Sequence, residues 1–202
     1  LVVADSFETA RDAAALVRVT YESAPHETNL RNQLDNAYVP PKDRAGIDPP
    51  PNPRGNAEAA YAAAAFKVEN GYHVAPEHHN PMEPHASTVI WEGDGKLTIY
   101  DKIQGAQNTH GYVTSVFGLA KKDVRVLSPF VGGAFGSGLR PQYQLFLAVM
   151  ASLALMRSVR VVLTRDQMFT FGYRPDTIQR LSLAADPYHS RRFKGKEHPL
   201  SM

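Results

Sequence analysis

Ser128-Pro-Phe-Val-Gly-Gly-Ala-Phe-Gly-Ser-Gly-Leu-Arg-Pro-Gln142 is the stretch on which the reading of this chain turns. Upstream of it, Asp123-Val-Arg-Val-Leu127 reads as an apolar strand; downstream, Gln142 to Met156 is an almost uncharged helical run. Between them Gly132, Gly133, Gly136 and Gly138 fall within seven positions, interrupted by a single large aromatic, Phe135. Glycine costs conformational entropy, so four together at a strand-to-helix junction call for a reason. Peptide N–H groups pointing at a polar or anionic ligand, helped by the helix N-terminus, supply one. The expectation is a loop that brings backbone up to a cofactor. Its spacing, Gly133-x-x-Gly136-x-Gly138, is not the Gly-x-Gly-x-x-Gly of a dinucleotide binder, and no Gly-Lys-Ser/Thr follows to make a phosphate loop.

Composition narrows the partners. The 202 residues are 43% hydrophobic and 21% charged, ordinary for a globular protein. A net charge of +2 is too small to suggest nucleic acid or a membrane surface. With no cysteine, the chain itself holds no disulfide, iron–sulfur cluster or thiolate zinc site. The longest apolar run, Leu145 to Met156, is too short to cross a bilayer. No secretory pattern opens the sequence, so export on a signal of its own is not expected.

Leu1 to Ala4 reads as the second half of a buried strand, Glu8 to Leu16 as an alanine-rich helix capped by Asp5 or Ser6, and Val17 to Tyr21 as a strand. That is a β-α-β unit short of its beginning, which suggests a piece of something longer. Residues 25–55 lose all periodicity and collect prolines (Pro40, Pro41, Pro49, Pro50, Pro51, Pro53), so a Pro-rich linker and a domain boundary are placed there. A short helix over Asn56 to Ala65 leads into a strand from Phe66 to His73, broken at Gly71. His78-His-Asn-Pro-Met-Glu-Pro-His85 has the residue types of a metal site but no helical His-x-x-x-His spacing, and reads as a rigid polar turn at a domain interface. Thr88 to Trp91 and Leu97 to Tyr100 flank a Gly93-Asp-Gly95 hairpin turn. Asn108 is expected to cap a helix from Gly111 to Leu119 with Val113, Val116 and Phe117 on one face. Val159 to Thr164 reads as a strand, Asp166 to Phe171 as a turn or short helix, and Asp176 to Ala184 as a last strand. Alternating strands and helices argue for an α/β or α+β fold and against a bundle, with Gln104, Gln107 and the glycine loop at strand ends where ligands sit.

Several of these blocks resemble, in order and spacing, the large subunits of the molybdenum hydroxylases, the xanthine dehydrogenase and aldehyde oxidase family. They are His79-Asn-Pro-Met-Glu-Pro-His-Ala86, Thr98-Ile-Tyr-Asp101 with Gln107-Asn108, Val126 to Phe135, Val159 to Asp166 and Gly172-Tyr-Arg-Pro175. The resemblance implies that residues 1–24 are the C-terminal part of an α/β hammerhead domain and that 56–186 are the first half of a mixed α/β molybdopterin-binding domain. It implies a molybdopterin-type molybdenum cofactor approached by Gly133, Ala134, Phe135, Gly136 and Gln107, with the metal held through the pterin and not by protein side chains. It further implies 2Fe-2S and FAD groups on partner subunits, and hydroxylation of an aldehyde or N-heterocycle with water as oxygen donor. Purine-hydroxylating members carry a glutamate where this chain has Leu139, which favours an aldehyde. The family's Gly-Gln contact to the metal and its catalytic glutamate lie outside these 202 residues, so no catalytic residue is assigned and the isolated chain is expected to be inactive. The alternative reading is a non-catalytic remnant serving assembly. Residues 187–202 do not continue the family pattern and read as a disordered tail; the expected compartment is the cytoplasm, or the periplasm through a partner's signal.

Overall fold

The computed structural model describes residues 1–38, 54–170 and 172–185; most of the proline-rich linker and the whole of the 187–202 tail lie outside the described residues. By their contacts these residues group into two compact units, one of residues 1–24 and 76–175, the other of the described residues within 25–75 and from 176 onward.

The first unit is built on a four-stranded mixed sheet. Its strands are β3 (Ala86–Trp91), β4 (Leu97–Asp101), β5 (Val124–Leu127) and β6 (Val159–Val162), in the order β5-β4-β3-β6. β3 runs antiparallel to β4 and β6, while β4 and β5 are parallel and joined by the crossover helix α3 (Ala106–Phe117). A parallel pair needs such a crossover, whereas β3 and β4 need only the Gly93-Asp94-Gly95 turn. All three turn residues have positive φ, which explains the glycines. Helix α4 (Tyr143–Leu155) packs with α3 on the sheet, and Phe117 of α3 stacks on Phe146 of α4 at 5.3 Å. Val89, Ile99, Leu97 and Val124 meet Val113, Leu145, Ala148 and Val149 in one core. The strand register explains this: Val89 sits opposite Ile99 and Leu97 opposite Val124, so alternate residues of neighbouring strands share one face.

Helix α5 (Arg165–Thr170) follows β6, and two short strands, β2 (Glu77–His78) and β7 (Tyr173–Arg174), pair beside it. At the N-terminus, α1 (Phe7–Ala15) forms as expected, with Ser6 Oγ accepting the Thr9 amide at 3.1 Å. Its expected flanking strands do not form. Leu1 to Ala4 and Val17 to Tyr21 carry no ladder, and Leu1, Val17, Val19 and Tyr21 are all more than half exposed. A strand exists only through its neighbour's hydrogen bonds, and the described residues supply no neighbour here.

The second unit contains α2 (Ala57–Ala63), capped by the Asn56 side chain, and a long antiparallel ribbon of β1 (Phe66–Val74) and β8 (Thr177–Ala185). The break expected at Gly71 is absent: Gly71 pairs with Arg180 within an unbroken ladder. In the first unit, two readings of α3 are also corrected. The helix begins at Ala106, with Gly105 at its N-cap, so Asn108 lies inside it and its side chain is free to reach elsewhere. Val113 is buried, but Val116 is 48% exposed and is not part of the buried face.

Candidate functional site

The glycine loop leaves the carboxyl end of β5 and is sewn to the segment that leaves the carboxyl end of its parallel neighbour, β4. Ser128 Oγ donates to Ile103 O at 2.7 Å, the Gln104 amide donates to Gly138 O at 2.7 Å, and Asn108 Nδ2 donates to Leu139 O at 3.1 Å. Within the loop, the amide and hydroxyl of Ser137 both donate to Ala134 O, at 2.8 and 2.7 Å. That tight turn buries Ala134, Ser137 and Gly138 and pushes Phe135 outward, 64% exposed.

Phe135 and Gly136 both lie in the left-handed region, with φ of 52° and 92°. For phenylalanine this conformation costs on the order of 1 kcal/mol, and such strain concentrates at functional sites. At Gly136 a side chain would be strained whatever the space around it, and the nearest atom to an added Cβ is His79 Nε2 at 3.9 Å. Among the described residues, no acceptor meets the amides of Phe135 and Gly136. Two free donors therefore stand beside an exposed aromatic ring on a rigid turn, an arrangement suited to a polar cofactor.

The polar turn of residues 78–85 abuts this loop, and its side chains diverge. His78 packs against the rings of Phe169 and Tyr173, at 5.5 and 5.9 Å. His79 Nδ1 is hydrogen-bonded to Gly172 O at 2.8 Å, which leaves Nε2 on the side of Gly136. His85 is buried, with Met168 Sδ accepting its amide at 3.3 Å and neither ring nitrogen paired; burial lowers its pKa to about 4. Glu83 reaches the loop itself, where its Oε2 accepts the Gly133 amide at 2.9 Å. Arg165 holds the turn in shape by donating to Asn80 Oδ1, Pro81 O and Met82 O at 2.6 to 2.7 Å.

Below the loop lies a polar layer that sequence reasoning missed. Asp101, 3% exposed, accepts Ser87 Oγ at 2.6 Å and Thr109 Oγ1 at 2.8 Å, and Gln144 Nε2 approaches Ser87 Oγ at 3.4 Å. Burial raises the Asp101 pKa against the lowering effect of the two hydroxyls. Ser87 and Asp101 are the pair next after Val89 and Ile99 on the core face of the sheet, so this network ties β3, β4, α3 and α4 together where the loop begins. The alternation of these strands already placed both residues on that face, and this was the available signal.

Of the residues expected at the site, Gly133, Ala134, Phe135 and Gly136 stand in one loop, with Leu139 at its end, 53% exposed. Gln107 is exposed on the first turn of α3 and makes no hydrogen bond to the loop; its neighbour Asn108 does so instead. Glu83, Lys102, Arg165 and His79 surround the loop by folding, although no local pattern linked them to it.

The geometry defines a mixed α/β domain with a glycine loop at the carboxyl ends of two parallel strands. A family model described as molybdopterin cofactor-binding domain matches residues 42–189, and the chain belongs to that family, among the molybdenum hydroxylase large subunits. The aldehyde oxidoreductase molybdenum-binding subunit PaoC of Escherichia coli (strain K12) is 33% identical over 187 residues, covering 92% of this chain and 25% of PaoC. The xanthine dehydrogenase of Dictyostelium discoideum is 28% identical over 182 residues, covering 89% of this chain and 13% of that protein. Quinoline 2-oxidoreductase from Pseudomonas putida 86 superposes with a TM-score of 0.70 at 25% identity, over 91% of this chain and 24% of that structure's chain. The chain thus spans a quarter or less of the length of these relatives.

Proposed function

We propose that this chain forms part of the large subunit of a molybdenum hydroxylase that oxidises aldehydes, and that its glycine loop is one wall of the cofactor site. The observation that carries the reading is the Phe135–Gly136 turn, whose free amides and exposed ring sit at the carboxyl ends of β4 and β5. Gly133, Ala134, Phe135 and Gly136 would line the molybdopterin cofactor, with Gln107 nearby on α3. When bound, that group supplies two-electron oxidation at a substrate carbon, with water as the source of oxygen. The chain's own residues present amide donors, hold the loop rigid through Ser137 and Gln104, and cover one side of the site with the Phe135 ring.

Leu139 bears on substrate choice. An aliphatic side chain offers no hydrogen bond to a purine ring, and an unpaired polar edge in a dry site is disfavoured. On this reading electrons leave through iron–sulfur and FAD subunits, in the cytoplasm. Residues 1–24 belong to a hammerhead-type domain and 56–186 to the first half of the cofactor domain. The exposed apolar side chains of Leu1, Val17 and Val19 support the former, since they suit strands completed by other segments of the full-length subunit. The test is an assay of the full-length subunit, assembled with its electron-transfer partners, on an aromatic aldehyde and on a purine. The aldehyde should have the higher kcat/KM, and Leu139→Glu should raise the purine's relative kcat/KM by about tenfold or more. A wild-type preference for the purine would overturn the assignment.

A further inference from the structure

Gly133 is held at both its amide and its carbonyl, which belong to successive peptide groups, by residues that are distant in sequence. Its amide donates to Glu83 Oε2 at 2.9 Å, and its carbonyl receives Lys102 Nζ at 3.5 Å, a long contact. Gly132 shows how closely the carboxylate is applied to the backbone: it has a φ of 65°, and an added Cβ there would overlap the Glu83 carboxylate, so only glycine fits beneath it. The two grips differ in kind. Glu83 comes from a turn with little freedom of its own, flanked by Pro81 and Pro84 and fixed by the three Arg165 bonds. Lys102 follows directly from β4, whose last residue is Asp101 of the buried network. Each arm therefore transmits a rigid part of the fold to one residue, two positions before Phe135.

We propose that Glu83 and Lys102 are positioning residues that clamp Gly133 and so fix the direction in which Phe135 and the amides of Phe135 and Gly136 face. This rests on the reading of the loop as the cofactor wall and adds the device that holds it. Charge supports the assignment: the amides of Glu83 itself and of Gly133, then Lys102 and Arg165, all lower the Glu83 pKa, so the acceptor is an anion near neutral pH. The other titratable groups of the same turn are His78, packed on Phe169 and Tyr173, His79, hydrogen-bonded to Gly172 O, and buried His85, and none replaces Glu83 at Gly133.

The experiment compares wild type with Glu83→Ala, Glu83→Gln and Lys102→Met in the full-length subunit, using two readouts. The first is hydrogen–deuterium exchange of residues 128–142 in protein purified without cofactor, which reads loop order independently of loading. The second is molybdenum content and kcat after loading. Loss of a charge-assisted hydrogen bond should speed loop exchange about tenfold or more in Glu83→Ala. Glu83→Gln keeps an acceptor oxygen and should recover part of that protection, and Lys102→Met should have the smaller effect. Molybdenum content or kcat should fall in the same rank order, with thermal unfolding confirming that all variants are folded. Unchanged exchange in Glu83→Ala overturns the clamp. Faster exchange with wild-type molybdenum content and kcat overturns its positioning role. Indifference of loading and turnover to Phe135→Ala and Gly136→Val would instead sink the cofactor-wall reading, and the positioning role with it, while leaving the exchange result standing.

Discussion

Arg165 Nη1 donates to Asn80 Oδ1 at 2.7 Å, fastening the first residue of α5 to a turn 85 positions earlier. The same guanidinium takes Pro81 O and Met82 O, so one planar fork satisfies three acceptors. Asn80 itself has a φ of 41°, in the left-handed region that asparagine tolerates better than most residues. Lysine is a point donor and cannot reproduce the fork. Arg165→Lys should therefore lower unfolding stability almost as much as Arg165→Ala, by about 1 to 3 kcal/mol. Chemical denaturation of both variants checks this, and a Lys variant as stable as wild type would contradict it.

His85 makes the fold acid-sensitive. Its pKa is lowered to about 4, first by burial, then by Lys102, with a smaller contribution from His79. The unfolded chain takes up its proton near pH 6.5, so stability is full above that value and is lost as pH falls toward 4. The expected loss is about 2 to 3 kcal/mol between pH 7 and pH 4.5. Asp101 acts with the opposite sign: its raised pKa favours the fold under acid conditions, and that advantage is lost as pH rises through the folded value. The difference between wild type and His85→Leu isolates the histidine. Urea midpoints from pH 7 to 4.5 should fall more steeply for wild type, and parallel curves would refute the assignment.

Much of the architecture was legible because local signals agreed with the global fold. Ser6 before an alanine-rich run, Gly93-Asp-Gly95 between alternating strands, and apolar α4 after the glycines each specified their element without tertiary help. The misses fall where tertiary partners decide. Leu1 to Ala4 and Val17 to Tyr21 have strand composition but no neighbour to pair with among the described residues, while Gly71 is carried through by its partner Arg180. Asn108 has a capping side chain, but the helix begins before it and the side chain goes to Leu139 O. At the site, the loop residues were visible as a glycine cluster. Glu83, 50 positions from Gly133, and Lys102, 31 positions from it, were not, because no sequence period spans such distances.

On the proposed reading the loop is a single wall of the cofactor site. Phe135 is 64% and Leu139 53% exposed, so the described residues do not enclose a cofactor there or exclude water from it. The 202-residue chain purified by itself should carry well under one molybdenum per chain and show no aldehyde oxidation. Metal analysis by mass spectrometry checks this, and stoichiometric molybdenum would show that the chain encloses the site unaided.

On the proposed reading the Phe135–Gly136 turn faces the molybdenum cofactor. Molybdenum content of the full-length subunit carrying Gly136→Val, beside wild type and Phe135→Ala, tests it most directly. At a φ of 92° a β-branched residue is strained and adds carbon on the side of His79 Nε2, the nearest atom to an added Cβ at 3.9 Å. Gly136→Val should lose most of its molybdenum while remaining folded, and Phe135→Ala should load but turn over more slowly. Full molybdenum content and wild-type turnover in both variants would contradict it.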